Sequence, residues 1–105
     1  MIIIETSIFT RQVQALLQDE EYRQLQSALV LRPDIGALIR GGGGLRKMRW
    51  TVHGRGKRGG VRVIYYWAVS HERILMLLMY TKSEQEDLTS AQLKVLRGII
   101  EEEYP

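Results

Sequence analysis

The chain has 105 residues and a formal net charge of +3, with 45% apolar and 26% charged residues. This length predicts one domain over residues 1–105, and the composition is typical of a soluble globular protein, not a disordered segment. Because there is no cysteine, a disulfide framework, a zinc–thiolate site and a thiol nucleophile are excluded. No apolar run approaches the length of a membrane span or a signal-peptide core, which favours a cytoplasmic protein.

Basic residues are concentrated in the middle of the chain. Between positions 35 and 71 there is no acidic residue, whereas the rest of the chain carries seven basic and twelve acidic residues. This segregation predicts a surface that binds a polyanion, with an ordinary solvated face as the alternative. The eight basic residues of the segment are Arg40, Arg46, Lys47, Arg49, Arg55, Lys57, Arg58 and Arg62.

The first third of the chain predicts a strand followed by two helices. The apolar run from Ile2 to Ile4 is too short for a helix and indicates a buried strand. Thr6 or Ser7 can cap the helix that follows, and three acids at positions 19–21 favour the start of a second helix. Pro33 ends it, because proline disfavours helix at the residue before it.

The middle of the chain predicts three strands in a glycine-rich context. Residues 45–52 alternate, with Met48, Trp50 and Val52 on one face and Lys47, Arg49 and Thr51 on the other. Residues 61–67 are β-branched and aromatic, and residues 73–80 are apolar on both faces. Short links between these consecutive strands favour antiparallel pairing.

The last part of the chain predicts a helix. Capping-box patterns begin at both Ser83 and Thr89, and either can start it. An apolar stripe of Leu93, Leu96 and Ile100 then covers one face of the sheet. The predicted order is β-α-α-β-β-β-α, which is an α+β fold with an antiparallel sheet.

Three segments together resemble one family of proteins. Residues 44–50, GLRKMRW, are similar to the GLRKxRW segment of RelE/HigB-type toxins. Residues 56–67, GKRGGVRVIYYW, resemble the loop and strand that follow it, and residues 80–88, YTKSEQEDL, resemble the closing segment. Each motif is weak alone, but their common order over nearly the whole chain is specific.

The resemblance implies a curved antiparallel sheet packed by helices, and a toxin of a type II toxin–antitoxin system. Such toxins enter the ribosomal A site, cleave the mRNA there and are neutralised by an antitoxin. The expected antitoxin is HigA-like and contains a helix-turn-helix. The toxin would contact operator DNA only through this antitoxin. The basic surface itself favours an acidic antitoxin segment as its partner.

Basic side chains are the expected catalysts, since the chain offers only His53 and His71 as proton carriers near neutral pH. We expect both histidines to be surface residues. Neighbouring cations can depress the pKa of a lysine so that it acts as a base, while arginines stabilise charge on the phosphate. No metal or other cofactor is expected. The catalytic candidates are Arg62, Lys82, Lys57 and Arg49.

A second set of residues is expected to bind the RNA. Four of them are basic, and two are tyrosines that can stack on unpaired bases. The set comprises Lys47, Arg46, Arg55, Arg58, Tyr66 and Tyr80. Tyr65 and Trp67 are expected in the core.

Two other functions are compatible with this sequence. A ParE-like poison of DNA gyrase would share the fold and cleave no RNA. An RNA-binding module without activity would bind naked RNA in a salt-sensitive way. The basic loop and Lys82 favour the nuclease.

Overall fold

The computed structural model describes residues 1–51 and 60–105. It confirms the α+β class and the predicted order, and it adds one short strand, β2. The elements are β1 (Ile2–Glu5), α1 (Ser7–Leu16), α2 (Asp19–Leu31), β2 (Ala37–Leu38), β3 (Leu45–Trp50), β4 (Val61–Ala68), β5 (Arg73–Thr81) and α3 (Ser90–Glu103).

The five strands form one mixed sheet in the order β1-β5-β4-β3-β2. The consecutive strands β2 to β5 pair antiparallel, as their short links predict. The first strand instead lies parallel to β5, with Ile3 opposite Ile74. The sheet is therefore mixed and not wholly antiparallel. Most of the chain lies between β1 and β5 in sequence, so no short link forces these two strands to run antiparallel.

Each helix begins at a side chain that satisfies free backbone N–H groups. The Thr6 hydroxyl accepts a hydrogen bond from the Phe9 amide at 3.1 Å, so Thr6 caps α1 and Ser7 does not. A capping box of Gln18 and Glu21 opens α2. The box of Thr89 and Gln92 opens α3, whereas the pattern at Ser83 starts no helix.

Two apolar layers lie on opposite faces of the sheet. Helices α1 and α2 cover one face, where Tyr65 is fully buried as predicted, and α3 covers the other. A bulge in β5 places both Leu77 and Leu78 on the α3 face. Beyond the bulge the alternation of β5 is shifted, and Tyr80 therefore also packs in the layer beneath α3.

The end of α2 is tied to the sheet by the hydroxyl of Tyr65. This buried group donates to the Pro33 carbonyl at 2.7 Å and accepts from the Gly36 amide at 2.8 Å. The segment between α2 and β2 is thus held against β4. None of the helices in the described parts of the chain has the length and apolar character needed to cross a membrane.

Candidate functional site

Four of the predicted site residues meet in one open cavity of about 290 Å³ at the end of the sheet where β3 stops and β4 begins. The cavity is lined by Lys47, Arg49, Arg62, Lys82, Met48 and Glu86. Strand alternation explains part of this convergence. Lys47 and Arg49 lie on the α3 face of β3, and Arg62 lies on the same face of β4.

The register of the sheet brings the two arginines together. Arg49 is directly opposite Arg62, and Arg62 is directly opposite Tyr80 on β5. Lys82 follows the last residue of β5. Its turn is fixed by the Glu84 carboxylate, which accepts from the Thr81 amide at 3.0 Å. Three strands therefore deliver positive charge to one place.

This arrangement has an energetic cost. Like charges directly opposite each other on neighbouring strands destabilise a sheet. Arg62 is also only 7% exposed, and charged side chains are seldom buried so deeply. Local departures of this kind from the most stable arrangement are typical of functional sites.

Two acidic residues accompany these cations: Glu86 lines the cavity, and Asp87 contacts Lys47. The Asp87 carboxylate accepts a hydrogen bond from Lys47 Nζ at 2.9 Å. This bond, together with one from the Leu88 amide, holds the pKa of Asp87 below its ordinary value, and the nearby charge of Arg62 lowers that pKa further. Asp87 is thus ionised at neutral pH and offsets part of the local positive charge.

Arg46 does not line this cavity, so its predicted role in RNA binding finds no support at this site. It lies on the opposite face of β3, towards α2. Its guanidinium donates to the Gly36 carbonyl at 2.7 Å and to the Asp34 carbonyl at 3.4 Å. Adjacent residues of a strand point to opposite faces, so Arg46 and Lys47 cannot serve the same side.

The two tyrosines predicted as stacking platforms also depart from that expectation. Tyr80 is only 2% exposed and presents no ring face to solvent. Its hydroxyl is buried and meets no hydrogen-bond partner among residues 1–51 and 60–105. Burial, and secondarily the charge of Asp87, raises the pKa of Tyr80. Tyr80 therefore forms part of the packed layer beneath the cavity.

Tyr66 lies on the same face of the sheet as Arg62 but towards the far end of β4. Its ring stacks on Tyr104 with centroids 5.7 Å apart. It lines a separate hollow that contains none of the basic candidates. The role predicted for Tyr66 in RNA stacking thus finds no support in this geometry.

The remaining candidates either lie outside the described residues or are exposed. Arg55, Lys57, Arg58 and His53 lie outside the described residues. His71 is exposed, as expected, and its ring meets the edge of Tyr104 with centroids 4.9 Å apart. It lies in the hollow of Tyr66, so it takes no part in the basic cavity.

Sequence reasoning missed the acidic members of the site, Glu86 and Asp87. Both belong to the closing segment whose resemblance was noted, but charge segregation directed attention to the basic middle of the chain. A larger cavity, of about 440 Å³, runs along α3 and contains none of the predicted residues. Within the described ranges, no group of three His, Asp or Glu side chains is placed to hold a metal ion.

The sequence was compared with models of protein families. The family described as the RelE toxin of the RelE/RelB toxin–antitoxin system matches residues 1–103. This match spans both apolar layers, all five strands and every residue of the basic cavity. The matched residues include all three segments that resemble these toxins, and the α+β fold is consistent with the match. The chain therefore belongs to the RelE toxin family.

Proposed function

We propose that this toxin is a ribosome-dependent endoribonuclease that cleaves mRNA at the basic cavity. The convergence of Lys47, Arg49, Arg62 and Lys82 on one open cavity carries the proposal. Three of them face it from adjacent strands, so their positions are set by the sheet and not by loop geometry. Rigid placement of this kind suits a site that must stabilise a short-lived charge.

The proposed reaction uses the 2′-hydroxyl of the RNA as its nucleophile. The 2′-oxygen bonds to the adjacent phosphorus as its proton leaves, and the bond from phosphorus to the 5′-oxygen breaks. A proton then passes to that 5′-oxygen, which leaves a 2′,3′-cyclic phosphate and a 5′-hydroxyl. The step needs no co-reactant. It needs cationic groups around the phosphate and two groups that move protons.

We assign both requirements to basic side chains. We assign Arg62 and Arg49 to the phosphate oxygens, because a guanidinium stays charged and binds phosphate in a fixed planar geometry. Lys82 and Lys57 are the proposed proton-transfer groups, and Lys57 lies outside the described residues. Because these basic side chains can neutralise the charge on the phosphate, we propose that the chemical step uses no metal.

Contacts with the rest of the RNA are assigned to the cations around the cavity. Lys47 lines its wall, and Arg55 and Arg58 lie outside the described residues. Phosphate contacts of this kind fix the position of an RNA strand and carry no base specificity. The ribosome and the mRNA codon would then present the scissile bond.

The partner of a RelE-family toxin is a cognate antitoxin. We propose a HigA-like antitoxin with a helix-turn-helix, through which alone the complex contacts operator DNA, and we propose that the toxin acts in the cytoplasm. A small protein encoded beside this chain that binds it tightly and relieves its toxicity would agree with this assignment.

The proposed function is tested by expressing the unmodified chain and the double variant Arg62→Ala/Lys82→Ala in cells and in a translating extract. We expect growth arrest and mRNA cleavage by the unmodified chain and neither by the double variant. The matched control is Arg46→Ala/Lys94→Ala, which removes the same charge away from the cavity. Its cleavage should persist.

The same experiment separates the nuclease from the other functions. Growth arrest with accumulated DNA breaks and intact mRNA would identify a ParE-like gyrase poison instead. Salt-sensitive RNA binding without growth arrest would identify an inactive binding module. Unchanged toxicity of Arg62→Ala/Lys82→Ala would rule out the mechanism assigned to these two residues.

A further inference from the structure

We infer that Asp87 is a positioning residue of the basic cavity, which holds the Lys47 ammonium in place to receive a substrate phosphate. The inference rests on the proposed cleavage function and adds one residue to the same site. Lys47 is on β3 and Asp87 is in the connection between β5 and α3. Their contact at 2.9 Å therefore joins two distant parts of the chain.

The Asp87 carboxylate is fixed independently of Lys47. Its Oδ1 accepts from the Leu88 amide at 2.8 Å, and its backbone carbonyl accepts from Gln85 Nε2 at 2.9 Å. Gln85 is in turn paired with Gln92 through two side-chain hydrogen bonds of 2.8 and 3.2 Å. Because Gln92 is also part of the capping box of α3, the position of Asp87 is set by the start of that helix.

Several other ion pairs within residues 1–51 and 60–105 are local. Arg23 and Glu20 are three positions apart, and Arg97 and Glu101 are four apart within α3. Surface pairs of this kind contribute little to stability. The pair of Lys47 and Asp87 has exposed partners too, but it joins a strand of the cavity to the connection that carries Lys82. The position of this pair is therefore better explained by a role in the cavity than by a contribution to the stability of the fold.

A lysine side chain alone is poorly suited to hold a phosphate at a fixed point. Four rotatable bonds separate its ammonium from the backbone, and freezing them costs conformational entropy. A fixed carboxylate removes much of that freedom before RNA arrives. The ammonium has three N–H donors, so two remain for phosphate oxygens after one is given to Asp87.

The opposite effect of Asp87 is also physically reasonable and gives the inference a clear competitor. A carboxylate beside the cavity repels an incoming phosphate, and on that view removing the Asp87 charge would tighten RNA binding and speed cleavage. The two views predict changes of opposite sign. A measurement of cleavage therefore distinguishes them.

The experiment measures kcat/KM for cleavage of a short mRNA on purified 70S ribosomes. Asp87→Asn keeps the shape of the side chain and an oxygen for the Leu88 amide but removes the charge. We expect it to lower kcat/KM by about tenfold, since small displacements of a positioning group are costly. Asp87→Glu should recover part of the loss, and Glu101→Gln, which breaks the exposed pair within α3, should have no effect.

A double-mutant cycle tests whether Asp87 acts through Lys47. In a Lys47→Gln background, Asp87→Asn should change kcat/KM by less than about twofold, because the interaction is already absent. A full tenfold further loss there would overturn the inference, as would faster or unchanged cleavage by Asp87→Asn alone. Urea unfolding of each variant checks that the fold is retained. Absence of cleavage by the unmodified chain would overturn both proposals, and cleavage unaffected by Asp87→Asn would overturn this one alone.

Discussion

Arg62 and Arg49 carry like charges at directly opposed positions of neighbouring strands. A pair selected for stability alone would combine opposite charges or apolar side chains. Asp87 lies close enough to moderate the repulsion but forms its direct ion pair with Lys47. At the level of single residues, the site therefore accepts an unfavourable cross-strand pair and concentrates positive charge.

Replacing Arg49 by glutamine should separate stability from function. Loss of the repulsion from Arg62 should raise the free energy of unfolding by about 0.5 kcal/mol. Cleavage should fall at the same time, because one group assigned to the phosphate is lost. Urea unfolding and an mRNA cleavage assay measure the two effects.

The control for this substitution is Arg46→Gln on the same strand. It removes the same charge and breaks the hydrogen bond to the Gly36 carbonyl. We expect a loss of stability of about 1 kcal/mol and retained cleavage. If Arg49→Gln lost stability and kept its activity, Arg49 would be a structural residue.

At the level of elements, the connection between β5 and α3 organises the site. It carries Lys82, Glu86 and Asp87, and the capping box of α3 fixes its far end. Residues of this connection gain their positions from the helix start and from the turn after Thr81. A substitution in the cap of α3 is therefore expected to alter the positions of the cavity residues in this connection.

The ion pair of Asp87 predicts how stability depends on pH. The pKa of Asp87 is lower in the folded chain than its ordinary value of 3.8. Its contribution is therefore present at pH values above 3.8 and is lost as the pH falls through the lower, folded-state pKa. The unfolding midpoint of Asp87→Asn should lie below that of the unmodified chain at neutral pH. The difference should vanish in strong acid, and a constant difference would contradict the assignment.

The tie between α2 and β4 depends on one hydroxyl. Tyr65→Phe removes it and leaves the Gly36 amide and the Pro33 carbonyl without their partner. Because the amide contact is buried, we expect a loss of about 2 kcal/mol in the free energy of unfolding. Since Tyr65 faces away from the cavity, cleavage at a temperature where the variant is folded should persist. A loss below about 0.5 kcal/mol would show that water replaces the hydroxyl.

Some features of the elements could not be read from the sequence. Strand β2 has two residues and no periodicity to detect. The parallel pairing of β1 and the bulge at Leu77 and Leu78 depend on contacts between distant segments. Longer strands and helices, whose apolar patterns and caps are local, were predicted close to their observed bounds.

At the level of the whole molecule, alternation on β3 was enough to place Lys47 and Arg49 on one face, whereas the register between β3 and β4, which the structure gives, adds Arg62 to it. Lys82 was included through resemblance, since no local pattern brings the end of β5 beside β3. Arg46 and Tyr80 were included by residue type, and their environments differ from that expectation. Asp87 was missed because an acidic residue does not fit a simple picture of a basic surface.

The central claim is that the cavity, and not the general positive charge of the chain, cleaves RNA. The most direct test is the single-turnover rate of mRNA cleavage on purified 70S ribosomes by Arg62→Gln and by Arg46→Gln. Loss of a group that stabilises charge in the transition state should slow Arg62→Gln by about a hundredfold or more, with 2′,3′-cyclic phosphate ends on the products of the unmodified chain. Arg46→Gln should cleave at nearly the unmodified rate, and equal losses in the two variants would contradict the account.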